Sequence, residues 1–177
     1  MILLMGIAGA GKGTQGQLLA EQHGYHVVTM GDVVRQTATD EQRQRMLAGN
    51  LLGDDEIMAM IDTVLSDIKD LDHVILDGFP RTLEQAKWLL EQSRRGRFTI
   101  QAAIHLIASR EAVTARLLDR ARADDNTEAI EQRFEEYERS TAPILEWLDE
   151  NSIFVISINA ERSVEDVNAE IFEQLNA

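Results

Sequence analysis

The sequence predicts an α/β fold: one parallel sheet of five strands wrapped by helices. Two observations carry this. Five short apolar runs, at residues 2–5, 25–29, 73–76, 101–107 and 153–158, alternate with segments whose apolar residues recur every three or four positions. That alternation is the pattern of repeated strand–helix–strand units, whose crossovers are right-handed. Between the first run and the first helical segment stands Gly6-Ile7-Ala8-Gly9-Ala10-Gly11-Lys12-Gly13-Thr14. This is a glycine-rich turn that carries a lysine and opens a helix.

The elements follow in order. Ile2-Leu3-Leu4-Met5 is apolar on both faces, as a central parallel strand must be. A helix over residues 11–23 presents Leu18, Leu19 and Ala20 inward and stops at Gly24, a C-terminal glycine. Residues 25–29 form the second strand. Residues 31–66 read as helix interrupted at Gly49-Asn50 and at Gly53, so two short helices and then a longer one from Asp54. In the longer helix Ile57, Met58, Ile61, Val64, Leu65 and Ile68 share a face. The third strand, residues 73–76, runs into Asp77-Gly78-Phe79-Pro80-Arg81, and residues 82–93 form the next helix. A fourth strand covers residues 101–107, and Ser109 caps a helix to residue 121. A polar stretch, residues 122–126, leads into one long helix over residues 127–150, with Pro143 a candidate kink. Residues 153–158 form the fifth strand, and Ser163 caps a last helix.

A chain of 177 residues suits one domain with small insertions, and 44% apolar content supplies its core. The sequence has no cysteine, hence no disulfide or thiolate metal site. No run approaches the roughly 18 apolar residues of a membrane span, and Met1 leads straight into the first strand. A cytoplasmic protein is the expectation. The formal charge of −14 argues against nucleic acid as a partner, because phosphate backbones reward clustered cations. It does not argue against a small phosphorylated ligand. Of 17 basic residues 14 are Arg, the side chain that pairs bidentately with phosphate and keeps its charge when desolvated. His23, His26, His73 and His105 show no metal-ligand spacing.

The glycine-rich turn is a phosphate-binding P-loop by context as well as composition. Its four glycines let consecutive N–H groups converge on one concavity, and the helix behind adds partial positive charge. Lys12 supplies a full charge that reaches the outer phosphates. Asp77, at the end of a hydrophobic strand, fits an acid that orients water on magnesium, or else one that caps a turn. Asp32 is a weaker candidate for the same task and reads equally as an acid near a helix start. Arg116 and Arg120, four apart on one helix, share a face; Arg122 follows, and Arg133 lies on the next helix. Like charges so placed cost stability unless an anion sits among them. Acidic neighbours such as Asp119 offer the alternative of a solvated face.

The general P-loop motif has Ser or Thr after the lysine, whereas here Gly13 stands there and Thr14 follows. This Gly-Lys-Gly-Thr-Gln variant, with Asp77-Gly78-Phe79-Pro80-Arg81-Thr82-Leu83-Glu84-Gln85-Ala86, resembles the adenylate kinases of the nucleoside monophosphate kinase family, over nearly the whole chain. The resemblance implies a P-loop NTPase fold and reversible phosphoryl transfer from ATP to AMP, giving two ADP. It implies a donor site of Gly9, Ala10, Gly11, Lys12, Gly13, Thr14, Arg116 and Arg120. It implies an acceptor site of Met30, Arg35, Leu52, Gly78, Arg81, Gln85, Arg122 and Arg133. Arg81, Arg120, Arg122 and Arg133 would act with Lys12 on the transferring group. Asp124 and Asp125 resemble a pair that holds a closed lid, although Asp125 with Glu128 also fits a helix cap. Magnesium would arrive with ATP, held by phosphate oxygens and water, with Asp77 behind it.

The resemblance further implies a core (1–29, 59–120, 133–177), a monophosphate-binding segment (30–58) and a short lid (121–132) without zinc. It implies a monomer and a cis Phe79–Pro80 peptide. Two features leave the acceptor base open. Met30 stands where the family usually carries a Thr that meets the base, and a thioether offers no donor. Thr82 with Gln85 also fits a capping box, which explains Gln85 without a ligand. Leu52 reads equally as ordinary core. A UMP/CMP kinase is therefore the nearest rival, and a nucleotide-binding sensor without catalysis a more distant one.

Overall fold

The computed structural model describes residues 1–47, 52–120 and 126–176, apart from the side chains of Leu47 and Arg120. Arg122, Asp124 and Asp125, with the rest of residues 121–125 of the expected lid, lie outside the described residues. The elements are β1 (Ile2–Met5), α1 (Lys12–His23), β2 (His26–Thr29), α2 (Met30–Thr37), α3 (Asp40–Leu47) and α4 (Asp54–Ser66), then β3 (Val74–Asp77), α5 (Leu83–Arg94), β4 (Ala102–Ile107) and α6 (Arg110–Arg120). After these come α7 (Thr127–Glu136), a π-helical turn (Tyr137–Thr141), α8 (Ala142–Glu150), β5 (Val155–Asn159) and α9 (Val164–Leu175).

All five strands are parallel, in the order β2-β3-β1-β4-β5. β1 is central, so its four residues are buried on both faces. Leu3 and Met5 face a core shared with α2, α4, α5 and α8, while Ile2 and Leu4 face a second core shared with α1, α6, α7 and α9. Each fully buried side chain of this size contributes about 1.5–3 kcal/mol. The register aligns the carboxyl ends of the strands. Leu4 pairs with Asp77, which pairs with Thr29, and Met5 pairs with His105. The chain turns from one side of β1 to the other at this end, the place where open α/β sheets form their crevice.

Three local expectations are corrected. The single helix over residues 127–150 is interrupted by the π-helical turn, in which Ala142 N–H bonds Tyr137 C=O, five residues back. Pro143 lies in the first turn of α8. It has no N–H for the carbonyl of Arg139, and its ring crowds that carbonyl, so one residue of extra winding relieves the clash. The inner face of α1 is Gln15, Gly16 and Leu19 rather than Leu18, Leu19 and Ala20. Gln15 can face inward because its amide is satisfied: it donates to Val164 C=O at 3.0 Å and accepts from Asn168 at 3.1 Å. The cap of α7 is Asn126, whose side chain accepts from Ala129 N–H at 2.9 Å.

Candidate active site

The glycine-rich loop leaves β1 at its carboxyl end. Gly6, Gly9 and Gly11 have φ of 134°, 93° and 101°, where side chains are strongly disfavoured. Gly6 is further constrained, since a Cβ there would stand 2.7 Å from the backbone oxygen of Leu106 in β4. Gly11 caps α1 with no side-chain hydrogen bond. The first-turn amides thus have no capping side chain and suit an anion. Lys12 curls over the loop, its ammonium donating to Gly6 C=O at 2.8 Å and Ile7 C=O at 3.0 Å. Gly13 and Thr14 are exposed beside it, Gly9 is half-buried and Ala10 is buried.

Beside the loop, β3 delivers Asp77. A Cβ on Gly13 would lie 3.8 Å from its carboxylate oxygen. Burial raises the Asp77 carboxyl above its ordinary range, against the downward pull of Lys12 and then Arg81. The chain then turns through Gly78, at φ 82°, and the cis Phe79–Pro80 peptide. Arg81 folds back so that its Nε donates to Gly78 C=O at 2.9 Å. A Cβ on Gly78 would come within 3.1 Å of the Arg81 guanidinium and 3.7 Å of Met30 Cβ, so this glycine is what lets the three gather.

Met30 opens α2 and is buried, and Leu52 packs on the same core. Thr29 caps α2, accepting from Asp32 N–H at 3.1 Å while its hydroxyl donates to the Asp32 carboxylate at 2.7 Å. Arg35 pairs with the other oxygen of Asp32. The Thr29 hydroxyl and then the Arg35 guanidinium hold the Asp32 carboxyl below its ordinary range. Asp32 is therefore engaged with Arg35, rather than turned only toward the loop.

Thr82 caps α5 by accepting from Gln85 N–H at 3.3 Å. The reciprocal half of the capping box is altered, because the Gln85 side-chain oxygen accepts from Arg81 N–H at 2.8 Å instead of from the cap residue. Its amide nitrogen donates to Asp54 at 2.8 Å, and the Thr82 hydroxyl donates to the other oxygen of Asp54 at 2.9 Å. This tie between α4 and α5 had no signal in the sequence, since Asp54 and Gln85 stand 31 residues apart.

Arg133, Glu136, Tyr137 and Thr141 supply the far wall. With Gly6, Ile7, Ala8, Lys12, Gly78 and Arg81 they line a cleft of about 380 Å³. Glu136, Tyr137 and Thr141 belong to no sequence motif; their spacing from Arg133 along a helical period is the signal that points to them. Tyr137 hydrogen-bonds His105 Nε2 at 2.6 Å, which ties the π-helical turn to β4. Burial lowers the His105 pKa and raises that of Tyr137, so the neutral pair is favoured. Arg116 lies apart from this cleft's lining and donates to Ala160 C=O at 2.7 Å. A second groove, about 420 Å³ between α4, α5 and α8, is lined by Trp88 and Trp147 and lies away from the loop.

A model of the adenylate kinase family matches residues 4–153, which include the glycine loop, the Asp77–Arg81 turn and the far wall of the cleft. The chain belongs to the adenylate kinase family. An adenylate kinase of Corynebacterium glutamicum (strain R) is 34% identical over 98% of both chains. One of Mycobacterium ulcerans is 35% identical over 98% of both. One of Synechococcus sp. (strain WH7803) is 33% identical over 96% of this chain and 95% of its own. Similarity to these adenylate kinases therefore extends through β5 and α9, beyond the span of the family match. Within this family member, Lys12, Arg81 and Arg133 line one cleft, Asp77 lies beside Gly13 with Lys12 and Arg81 as its charged neighbours, and Met30, Arg35 and Gln85 stand on α2 and α5.

Proposed function

We propose that this chain transfers the γ-phosphoryl group of ATP to AMP, reversibly, giving two ADP. The observation that carries the reading is a single cleft in which the glycine loop and Lys12 stand opposite Arg81 and Arg133. Phosphoryl transfer asks for two anionic substrates held in line, water kept out and charge stabilised at the transferring oxygens.

In this reading the amides of residues 9–14 and Lys12 hold the donor, with Arg116 and Arg120. Lys12 leaves the carbonyls of Gly6 and Ile7 for the phosphates, a fair exchange because a charge-assisted bond to phosphate is stronger than one to a neutral carbonyl. Arg35 and Arg81 hold the acceptor phosphate, and Arg120, Arg122 and Arg133 close over the transferring group. Arg35 exchanges the Asp32 carboxylate for that phosphate. Gln85, Met30, Leu52 and Gly78 form the base end of the acceptor site. The acceptor phosphate is already an anion, so no general base is required.

No group of three or more metal-ligating side chains occurs among the described residues. Asp77 is a carboxylate beside Gly13 and Lys12. That donor set suits a magnesium ion carried by the phosphates and its own waters, with Asp77 orienting a water. When bound, the ion neutralises charge between the phosphates. The reading keeps residues 30–58 and 121–132 as the segments that close over the two nucleotides and exclude water. It also keeps a cytoplasmic monomer, with gel filtration the check on its oligomeric state.

The test is a coupled assay of ADP formation with ATP and magnesium, offering AMP, UMP, CMP and GMP in parallel. A clear preference for AMP is expected. Preference for UMP or CMP would give the chain to the pyrimidine branch and reduce Gln85 to a helix cap. ATP binding without turnover on any of the four would reject catalysis.

A further inference from the structure

We propose that Asp54 is a positioning residue for base selection, because it holds the carboxamide of Gln85 in one sense only. The inference rests on the reading of Gln85 at the base end of the acceptor site. Gln85 is 4% exposed, and both ends of its amide are committed. The oxygen accepts from Arg81 N–H at 2.8 Å, and the nitrogen donates to Asp54 at 2.8 Å. Neither partner can change roles. A backbone N–H only donates, and an ionised carboxylate only accepts. Turning the amide over would face N–H to N–H and oxygen to carboxylate at once, in a buried place where unpaired polar groups are costly. Thr82 secures the device by donating to the second oxygen of Asp54 at 2.9 Å, which stops the carboxylate from swinging away.

A primary amide has two N–H donors and two oxygen lone pairs. Arg81 and Asp54 use one of each, so one N–H and one lone pair remain for a ligand, in a fixed order. The order matters for purines. A 6-aminopurine presents an acceptor at N1 and a donor at N6; a 6-oxopurine presents a donor at N1 and an acceptor at O6. An amide free to turn serves both. An amide locked by Asp54 serves one and meets the other with donor against donor. The Met30 side chain offers no hydrogen-bond donor and leaves this discrimination to Gln85.

The experiment compares kcat/KM for AMP and IMP in the wild type and in Asp54→Asn. Asn can present either an oxygen or an N–H to Gln85, so the turned amide keeps a partner on α4 and is opposed only by the Arg81 N–H; one of the two penalties against turning is removed without loss of volume. The AMP-to-IMP ratio should fall about tenfold or more, mostly through a lower KM for IMP, with KM for ATP unchanged. A simple tie between α4 and α5 would instead lower thermal stability and leave the ratio alone; an unchanged ratio in the folded variant overturns the inference. Asp54→Ser, whose hydroxyl also donates or accepts, should relax the ratio in the same direction. Failure of both variants to fold would assign Asp54 to the stability of α4 and overturn it too. Calorimetric Kd values for AMP and IMP read the same ratio without turnover. Selective AMP binding that Asp54→Asn abolishes would support the inference even in a chain that failed to phosphorylate AMP; equal wild-type binding of the two would reject it.

Discussion

The loop between β1 and α1 makes a quantitative claim at two of its glycines. Gly6 and Gly11 both have positive φ, 134° and 101°. They differ in space. A Cβ at Gly6 would stand 2.7 Å from Leu106 C=O, whereas one at Gly11 would meet nothing within 4 Å. The obstacle at Gly6 is backbone of the neighbouring strand and cannot rotate aside. Gly11→Ala should therefore cost only backbone strain, about 1–2 kcal/mol, partly offset by the stiffer unfolded chain. Gly6→Ala adds displacement of β1 from β4, for a total of about 3–5 kcal/mol. For a domain of this length each kcal/mol lowers Tm by roughly 2–4 °C, so Gly11→Ala should lose about 2–8 °C and Gly6→Ala about 6–20 °C. Calorimetry or thermal circular dichroism at one pH and salt concentration reads both. Equal losses would refute the argument that the close approach of Leu106, rather than φ alone, requires glycine at position 6.

Lys12→Ala should lower phosphoryl transfer by about 10²–10³-fold in single-turnover kinetics with little change in Tm; near-normal turnover would sink the mechanism. Arg81→Ala removes charge-assisted bonds worth about 1.5–3 kcal/mol, so kcat/KM for AMP should fall about 10–150-fold while calorimetric ATP affinity holds. An equal loss of ATP affinity would mean that donor and acceptor sides are interchanged. His105 has its pKa lowered from 6.5 by burial, so it is neutral when folded and takes up a proton more readily when unfolded. Its contribution to stability is present above about pH 6.5 and is lost as pH falls toward the lower folded value, by at most about 1.4 kcal/mol per pH unit. His105→Gln should flatten this part of the stability–pH profile measured by urea unfolding; an unchanged slope between pH 7 and 5 would place the titration elsewhere.

Much of the site was legible because it is local. A glycine loop that follows a buried strand and opens a helix declares itself by backbone preference alone, and Asp77 to Arg81 lie within one turn of chain. The caps at Ser109 and Ser163 were equally readable; each accepts an N–H three residues on, at 3.2 and 3.1 Å. The inner face of α1 was misread because distant partners decide it. Gln15 is polar yet buried, because Asn168 and Val164, far along the chain, satisfy its amide. The helix over residues 127–150 followed its apolar period correctly, but periodicity does not register the one-residue widening that Pro143 imposes.

The sequence by itself determined the α/β class, the strand count and the position of the phosphate loop, since these follow from apolar period, glycine spacing and chain-local capping. It also placed the chain beside the adenylate kinases, through two short motifs. Tertiary structure decided which side chains meet. It brought Arg133 and Tyr137 across from Lys12, set His105 under Tyr137, and bound Gln85 to Asp54 across α4 and α5. The physical reason is one of range. Backbone propensities act over a few residues and can be read in order, whereas a hydrogen bond between residues 31 apart depends on how two helices pack on a common sheet.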